Sequence, residues 1–224
     1  MNIRPLDQVS ISEVFKEAWQ KISGFKGVMW GALIIYFVLT ILTNAFNFSL
    51  HSHILNFIIV LALYPMSIGL RMMGVKRVRD VEVRVGNVFE CYKNFLPLCG
   101  IFLLIMLIVF LVALVGMIIG IVLHAISPLL MFVWATLVGL TIIYLAVGFI
   151  FAAQLCVDKN LGVIDSLTLS RRKVGQHWFK VFFTYFFCGL LILLSALPLL
   201  VGLIWTLPWG YCVLGILYRD LFNS

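Results

Sequence analysis

Three histidines are the residues of this sequence best suited to metal chemistry. His51 and His53 are separated by one serine, and His124 lies much farther along the chain. Imidazole nitrogens bind zinc, copper and nickel, and three histidine ligands leave one coordination position open on such a metal. The pattern therefore raises a metal site as a hypothesis. The commoner arrangement, interfacial histidines bonded to water or to loop carbonyls, is the alternative that the sequence leaves open.

A basic cluster followed by an aromatic residue is the second feature with chemical meaning. Arg171, Arg172 and Lys173 are consecutive, and Trp178 follows them. Each basic residue close to an anionic membrane surface contributes about 1 kcal/mol of attraction. These four residues are therefore predicted to contact lipid headgroups. A purely topological role for the cluster explains the same residues.

Gly116 and Gly120 form a small-residue motif inside a long apolar run. Two glycines four positions apart lie on one face of a helix and let another helix approach closely. We therefore predict a helix-packing role for this pair. The partner helix belongs either to the same chain or to a second copy in a homo-oligomer.

Enzyme and cofactor motifs do not occur in this sequence. It contains no GxSxG, HExxH or phosphate-binding loop, and no Cys/His spacing typical of zinc. Its five cysteines include no CxxC pair and are expected to pack as small hydrophobic residues. The net charge of +7 does not indicate nucleic acid, because no basic stripe alternates with aromatic residues. We expect a non-enzymatic protein without a cofactor, whose partner is membrane lipid.

The elements that position these residues are membrane helices. The chain is 63% hydrophobic and 11% charged, whereas soluble domains average about 45–50% apolar and 25% charged residues. About 20 apolar residues make one helical crossing. The pattern predicts an all-α polytopic membrane protein, a single membrane domain over residues 1–224, with six transmembrane helices in three hairpins and amphipathic cytoplasmic helices between them. The predicted transmembrane helices cover about 28–46, 54–70, 96–122, 129–156, 181–200 and 206–218.

Charge distribution predicts the orientation of these helices. With six crossings and the N-terminus inside, all 16 lysines and arginines lie on one side of the membrane. Because cytoplasmic loops carry the excess of basic residues, both termini are predicted to be cytoplasmic. Pro198, Gly202 and Pro208 are the candidate helix breakers for the last turn, which we place between Leu200 and Pro208.

Two polar segments are expected to form amphipathic helices. Ser10 to Phe25 places apolar residues three and four apart, and Ser10 with Glu13 has capping-box spacing. This helix lies either in the membrane interface or under the bundle. Residues 87–95 form the second helix, with the same cap spacing in Asn87 and Glu90.

Three further expectations concern charge pairing and repetition. Glu17 and Lys21 are one turn apart and are expected to pair. Asp158 is expected to pair with a loop arginine and so to hold the bundle together, rather than to act in catalysis. A weak internal repeat, in which each cytoplasmic segment precedes a hairpin, competes with the interpretation that any six-span protein shows such spacing.

Two stretches give the chain a resemblance to a known group. The first stretch runs from Cys156 through Asp158 and Asn160, and on through Asp165-Ser166-Leu167 and Leu169-Ser170 to Trp178. The second is Thr206-Leu207-Pro208-Trp209, which closes on Tyr218-Arg219-Asp220-Leu221-Phe222. In these stretches the chain resembles bacterial multi-pass proteins similar to the membrane domain that accompanies some glycerophosphodiester phosphodiesterases. The resemblance implies a six-helix protein of the bacterial inner membrane with no established reaction, and the phosphodiesterase domain is not in this sequence.

Two functions remain open at this point. The first is a protein that organises or senses envelope lipids, which the amphipathic segments, the basic cytoplasmic face and the absence of charge at mid-membrane favour. The alternative is a small transporter or permease for an unidentified solute. The repeat and the helix-breaking prolines and glycines favour this alternative, because transporters use interrupted helices at their substrate sites.

Overall fold

The computed structural model describes residues 10–50, 53–197 and 200–222, with the side chains of all of these except 46–50. Every regular element within these ranges is helical. The α-helices are α1 Ile11–Lys21, α2 Lys26–Leu50, α3 His53–Val78, α4 Phe95–Ile126, α5 Pro128–Gly148, α6 Ala152–Lys159, α7 Val163–Gln176, α8 Trp178–Ala196 and α9 Leu203–Phe222. A 3₁₀ helix, Val85–Asn94, precedes α4. The prediction of an all-α membrane protein is confirmed at this level.

Five stretches of the described chain are long and apolar enough to cross a membrane. They are Lys26–Ala45, His53–Val78, Val85–Ile126, Pro128–Lys159 and Trp178–Ala196. The sixth predicted crossing corresponds to α9, which is not among them. Its C-terminal turns carry Arg219 and Asp220, and charged residues lower the mean hydropathy of a helix.

The last helix, α9, is the centre of the packed core. It contacts α1, α2, α3 and α8, and nearly all of its second half is buried. Glycines allow α3 and α9 to meet backbone to backbone: a Cβ atom on Gly74 would lie 2.2 Å from the carbonyl oxygen of Tyr211, and one on Gly215 would lie 2.6 Å from that of Gly74. The charged residues Arg219 and Asp220 are therefore compatible with the central position of α9, because neighbouring helices bury them.

Helix α3 continues more than two turns past its predicted end at Leu70. Arg71, which was placed in a cytoplasmic loop, lies inside this helix. Hydropathy reports where a chain becomes polar, whereas a helix ends where its packing and hydrogen bonds end. Here Met73 and Val75 are buried, and Gly74 packs on α9, so the helix persists to Val78.

The second amphipathic segment is a 3₁₀ helix that begins before the predicted start at Asn87. The side chain of Asn87 accepts a hydrogen bond from the backbone of Arg84, so Asn87 lies inside the helix and does not cap it. A 3₁₀ helix has about three residues per turn, so residues three apart share a face. Val88 and Cys91 are therefore the buried pair, whereas Phe89, the next residue after Val88, is exposed.

The predicted turn between Leu200 and Pro208 is wrong in position. Helix α8 ends at Ala196 and α9 already begins at Leu203, so Pro208 lies within α9. Proline has no N–H and therefore leaves the carbonyl four residues earlier without its helical donor. The indole N–H of Trp30 donates to that carbonyl, on Ile204, at 3.0 Å, and the helix tolerates the proline.

The N-terminal helix α1 has the predicted capping box. Ser10 and Glu13 bond reciprocally to each other's backbone N–H groups. The predicted Glu17–Lys21 pair does not form: Glu17 accepts from Arg219 at 2.5 Å, and Lys21 donates to Asp80 at 2.5 Å. That hydrogen bond from Lys21 lowers the pKa of the Asp80 carboxyl. Tertiary partners therefore replace the local one and join α1 to α9 and to the end of α3.

Candidate functional site

The helix that was predicted over 129–156 is interrupted. Helix α5 ends at Gly148 and α6 begins at Ala152. Side chains from two other helices bind the carbonyls at this break: Ser170 Oγ donates to Gly148 at 2.8 Å, and Arg71 Nη1 approaches the Ile150 oxygen at 3.5 Å. Gly148 is the only glycine at this break in the sequence. The hydrogen-bond donors that stabilise the break, Ser170 and Arg71, come from distant positions of the chain.

A pocket of about 460 Å³ opens beside this break, between α4, α5 and α7. Most of its wall is apolar, and two exposed arginines of α7, Arg171 and Arg172, line the same pocket. The remaining lining residues are Leu104, Ile108, Tyr144, Phe149, Ile164, Leu167 and Thr168. An apolar groove with two guanidinium groups matches a ligand that has an anionic head and a hydrocarbon tail.

The other two predicted headgroup residues lie outside the lining of this pocket. Lys173 is partly buried on α7. Trp178 begins α8, stacks on Phe182 with ring centroids 5.0 Å apart, and donates its indole N–H to the Tyr144 carbonyl at 3.3 Å. Because Tyr144 also lines the pocket, Trp178 fixes one wall and has no direct place in the lining.

Within the described ranges, the basic cluster on α7 lacks the carboxylate partners that several other basic residues have. Among the described residues, no carboxylate lies within 4 Å of the charged nitrogens of Arg171, Arg172 or Lys173. Carboxylates lie within this distance of several other cations, among them Lys21, Lys76, Arg79, Arg84 and Arg219. The cluster on α7 is therefore a concentration of positive charge that the described part of the protein does not neutralise.

Buried polar groups without hydrogen-bond partners lie next to the break, on the side that we call its inner side and that Gln154 and Tyr185 define. Gln154, in the first turn of α6, is 1% exposed, and its Oε1 has no partner. The hydroxyl of Tyr185 on α8 is likewise buried without a partner. The ring of Tyr185 lies 6.2 Å from that of Phe151, so this hydroxyl belongs to a residue packed against the break.

Asp158 forms the ion pair that was predicted for it. Arg79 donates to its two carboxylate oxygens at 2.6 and 2.8 Å, and the Tyr218 hydroxyl donates at 2.9 Å. The hydrogen bond to Asp158 raises the pKa of the Arg79 guanidinium, so the cation stays charged. The prediction of a pair with an arginine is confirmed, and the pair joins α3, α6 and α9 at one end of the bundle.

The predicted histidine site is only partly within the described residues. His53 is the first residue of α3, and His124 lies in the last turn of α4, both exposed. His51 lies outside the described residues. In the part of the chain that is described, no three side chains of histidine, cysteine, aspartate or glutamate come together as metal ligands. The metal site therefore stays a prediction.

Gly116 and Gly120 lie in the seam between α4 and α5. A Cβ atom on Gly116 would lie 2.8 Å from the side chain of Val138, and one on Gly120 would lie 3.7 Å from that of Trp134. The Trp134 indole also donates to the Gly116 carbonyl at 2.9 Å. Both glycines therefore have a partner helix within the chain. The five cysteines are free and buried, as predicted.

Sequence reasoning did not identify the residues at the inner side of the break. Arg71 was treated as a loop residue, and neither Gln154 nor Tyr185 was singled out as a site residue. Arg71 stands at the end of an apolar run, and this is the one signal that could have marked it as a charged residue inside a membrane helix.

Comparison of the chain with family models, with curated proteins and with solved structures finds no match.

Proposed function

We propose that this chain is a non-enzymatic protein of the bacterial inner membrane, with six crossings in three hairpins and both termini in the cytoplasm. Helix α9 is the sixth crossing in this proposal. Its 20 residues extend about 30 Å at 1.5 Å per residue, the thickness of the hydrocarbon layer. The concentration of the basic residues at one end of the predicted bundle supports the orientation.

The proposed function is to bind and organise anionic lipid at the α4–α5–α7 pocket. The observation that supports it is a largely apolar pocket lined by Arg171 and Arg172, which have no carboxylate partner among the described residues. The lipid phosphate lies against the two guanidinium groups, and an acyl chain lies along Leu104 and Ile108 of α4. Two basic contacts of about 1 kcal/mol each correspond to about a thirtyfold preference for anionic lipid.

Replacing both arginines with glutamine is expected to remove this preference. The Arg171→Gln/Arg172→Gln variant should retain about thirtyfold less phosphatidylglycerol than the wild type, relative to phosphatidylethanolamine, because both charge-assisted contacts are lost. The measurement is mass spectrometry of the lipids bound to the purified protein after controlled delipidation.

Two lysines elsewhere provide a control with the same change in net charge. Lys16 and Lys93 are exposed, and the Lys16→Gln/Lys93→Gln variant should keep the lipid preference of the wild type. An equal loss of phosphatidylglycerol in both double variants would show that net charge alone explains the lipid preference. No loss in the arginine variant would leave Arg171 and Arg172 with the topological role alone.

A small transporter or permease is the second candidate function. The interruption between α5 and α6 favours it, because transporters place interrupted helices and buried polar groups at substrate sites. Arg71 is the charged side chain at this interruption, so an anion is the solute to test first. Proteoliposomes that contain the protein should then take up radiolabelled orthophosphate faster than protein-free vesicles, and equal rates would count against transport of this anion.

A further inference from the structure

Arg71 is a cation whose charge the described part of the protein does not balance. It lies inside α3, within a stretch apolar enough to cross a membrane, and is partly buried. Within the described residues it has no carboxylate within 4 Å, and its hydrogen bonding is limited to the Ile150 carbonyl at 3.5 Å. A guanidinium group carries five N–H donors and stays charged in proteins, so a single long contact leaves most of its donors unused.

Three tyrosine side chains lie within electrostatic range of this guanidinium. Arg71 is close enough to interact electrostatically with Tyr64 on its own helix, Tyr185 on α8 and Tyr211 on α9. The Tyr185 hydroxyl is buried and has no hydrogen-bond partner. A tyrosine hydroxyl can donate a hydrogen bond, so the Tyr185 hydroxyl is an unused donor in addition to those of the cation.

Arg71 and Tyr185 contact consecutive residues of the segment between α5 and α6. Arg71 approaches the carbonyl of Ile150, and the ring of Tyr185 packs against that of Phe151. Gln154, one turn farther along, adds a buried side chain whose Oε1 has no hydrogen-bond partner among the described residues. Charge and unused donors therefore collect around a short piece of chain that belongs to neither α5 nor α6.

We propose that the inner side of the α5–α6 break is a binding site for a phosphate-like oxyanion, held by Arg71 and Tyr185 with the Gln154 amide beside them. An oxyanion accepts hydrogen bonds from the guanidinium, from the tyrosine hydroxyl and from the NH2 group of the amide, and it neutralises Arg71 in a region of low dielectric. The ligand is either a free oxyanion or the phosphate of a lipid headgroup, since both present the same atoms. This site differs from the pocket of Arg171 and Arg172 and does not depend on transport.

The test measures binding of radiolabelled orthophosphate to delipidated protein in a nonionic detergent. The Arg71→Gln variant should bind orthophosphate about tenfold to a hundredfold more weakly, because charge-assisted hydrogen bonds are lost. The Tyr185→Phe variant, which loses one hydroxyl and keeps its ring packing, should bind about tenfold more weakly. The Lys93→Gln variant loses the same charge at an exposed position and should bind as the wild type does.

Competition with phosphatidylglycerol separates the two sources of the phosphate group. Displacement of orthophosphate by this lipid assigns the site to a headgroup, whereas retention of orthophosphate assigns it to a free oxyanion; both results support the site. Failure of the wild type to bind orthophosphate would overturn the proposal, as would equal affinity in the wild type and Tyr185→Phe. Because Tyr185→Phe is a conservative change, it decides the question even where Arg71→Gln does not fold. Lipid recovery at Arg171 and Arg172 is measured separately, so either site can fail alone.

Discussion

Replacing Gly74 with alanine is expected to destabilise the protein by about 3 kcal/mol, the upper range for overpacked sites. The added Cβ would lie 2.2 Å from the Tyr211 carbonyl oxygen, and a backbone atom cannot move aside as a side chain can. Helices α3 and α9 would have to separate, and the core that α9 forms with its neighbours would loosen. Unfolding in mixed detergent micelles with increasing dodecyl sulfate measures this free energy.

A glycine in open space provides the matched control. Gly189 of α8 has nothing within 4 Å of the position that a Cβ would occupy. Alanine is the better helix former by about 1 kcal/mol, so Gly189→Ala should be neutral or stabilising. Gly215 faces Gly74, and the Gly74→Ala/Gly215→Ala variant should lose less than the sum of the two single losses, because one separation of the helices accommodates both methyl groups. Equal stability of Gly74→Ala and Gly189→Ala would refute the close contact.

Sequence patterns predicted those parts of the fold that depend on local composition. Residues that are close together in the sequence determine three of these features, and the structure has each of them. They are the capping box at Ser10, the helical membrane class and the break before Pro128. The pairing of Asp158 with an arginine also follows from burial, because a carboxylate at a helix end needs a cation nearby. These features require no knowledge of which helices are neighbours.

The features that sequence reasoning missed depend on tertiary partners. The break after Gly148 is held by Ser170 and Arg71, which come from two other helices, and nothing near the break encodes them. Similarly, Trp30 supplies the donor that lets α9 continue through Pro208. The Arg171–Arg172 cluster could be found from its charge, but its place beside an apolar pocket required the packing of α4, α5 and α7.

Replacing Asp158 with alanine is expected to destabilise the protein by about 2 to 3 kcal/mol. The change leaves the Arg79 guanidinium without a bidentate acceptor and the Tyr218 hydroxyl without its acceptor. Removing one partner of a fully buried ion pair costs about 3 to 5 kcal/mol. Residual exposure of the side chains, 22% for Arg79 and 14% for Asp158, lowers that value. The same titration with dodecyl sulfate measures the loss.

A surface ion pair and a double-mutant cycle distinguish this pair from a general effect of charge. The Asp80 side chain is 72% exposed in its pair with Lys21, so Asp80→Ala should change stability little, because solvent screens such pairs. In a cycle with Arg79→Met, the coupling free energy between Asp158 and Arg79 should be about 1 to 3 kcal/mol. Additive losses in this cycle would show that the two residues stabilise the protein independently. A coupling of the expected size would show that the pair fixes the end of α3 against α6, the helix that follows the break at which we propose the oxyanion site.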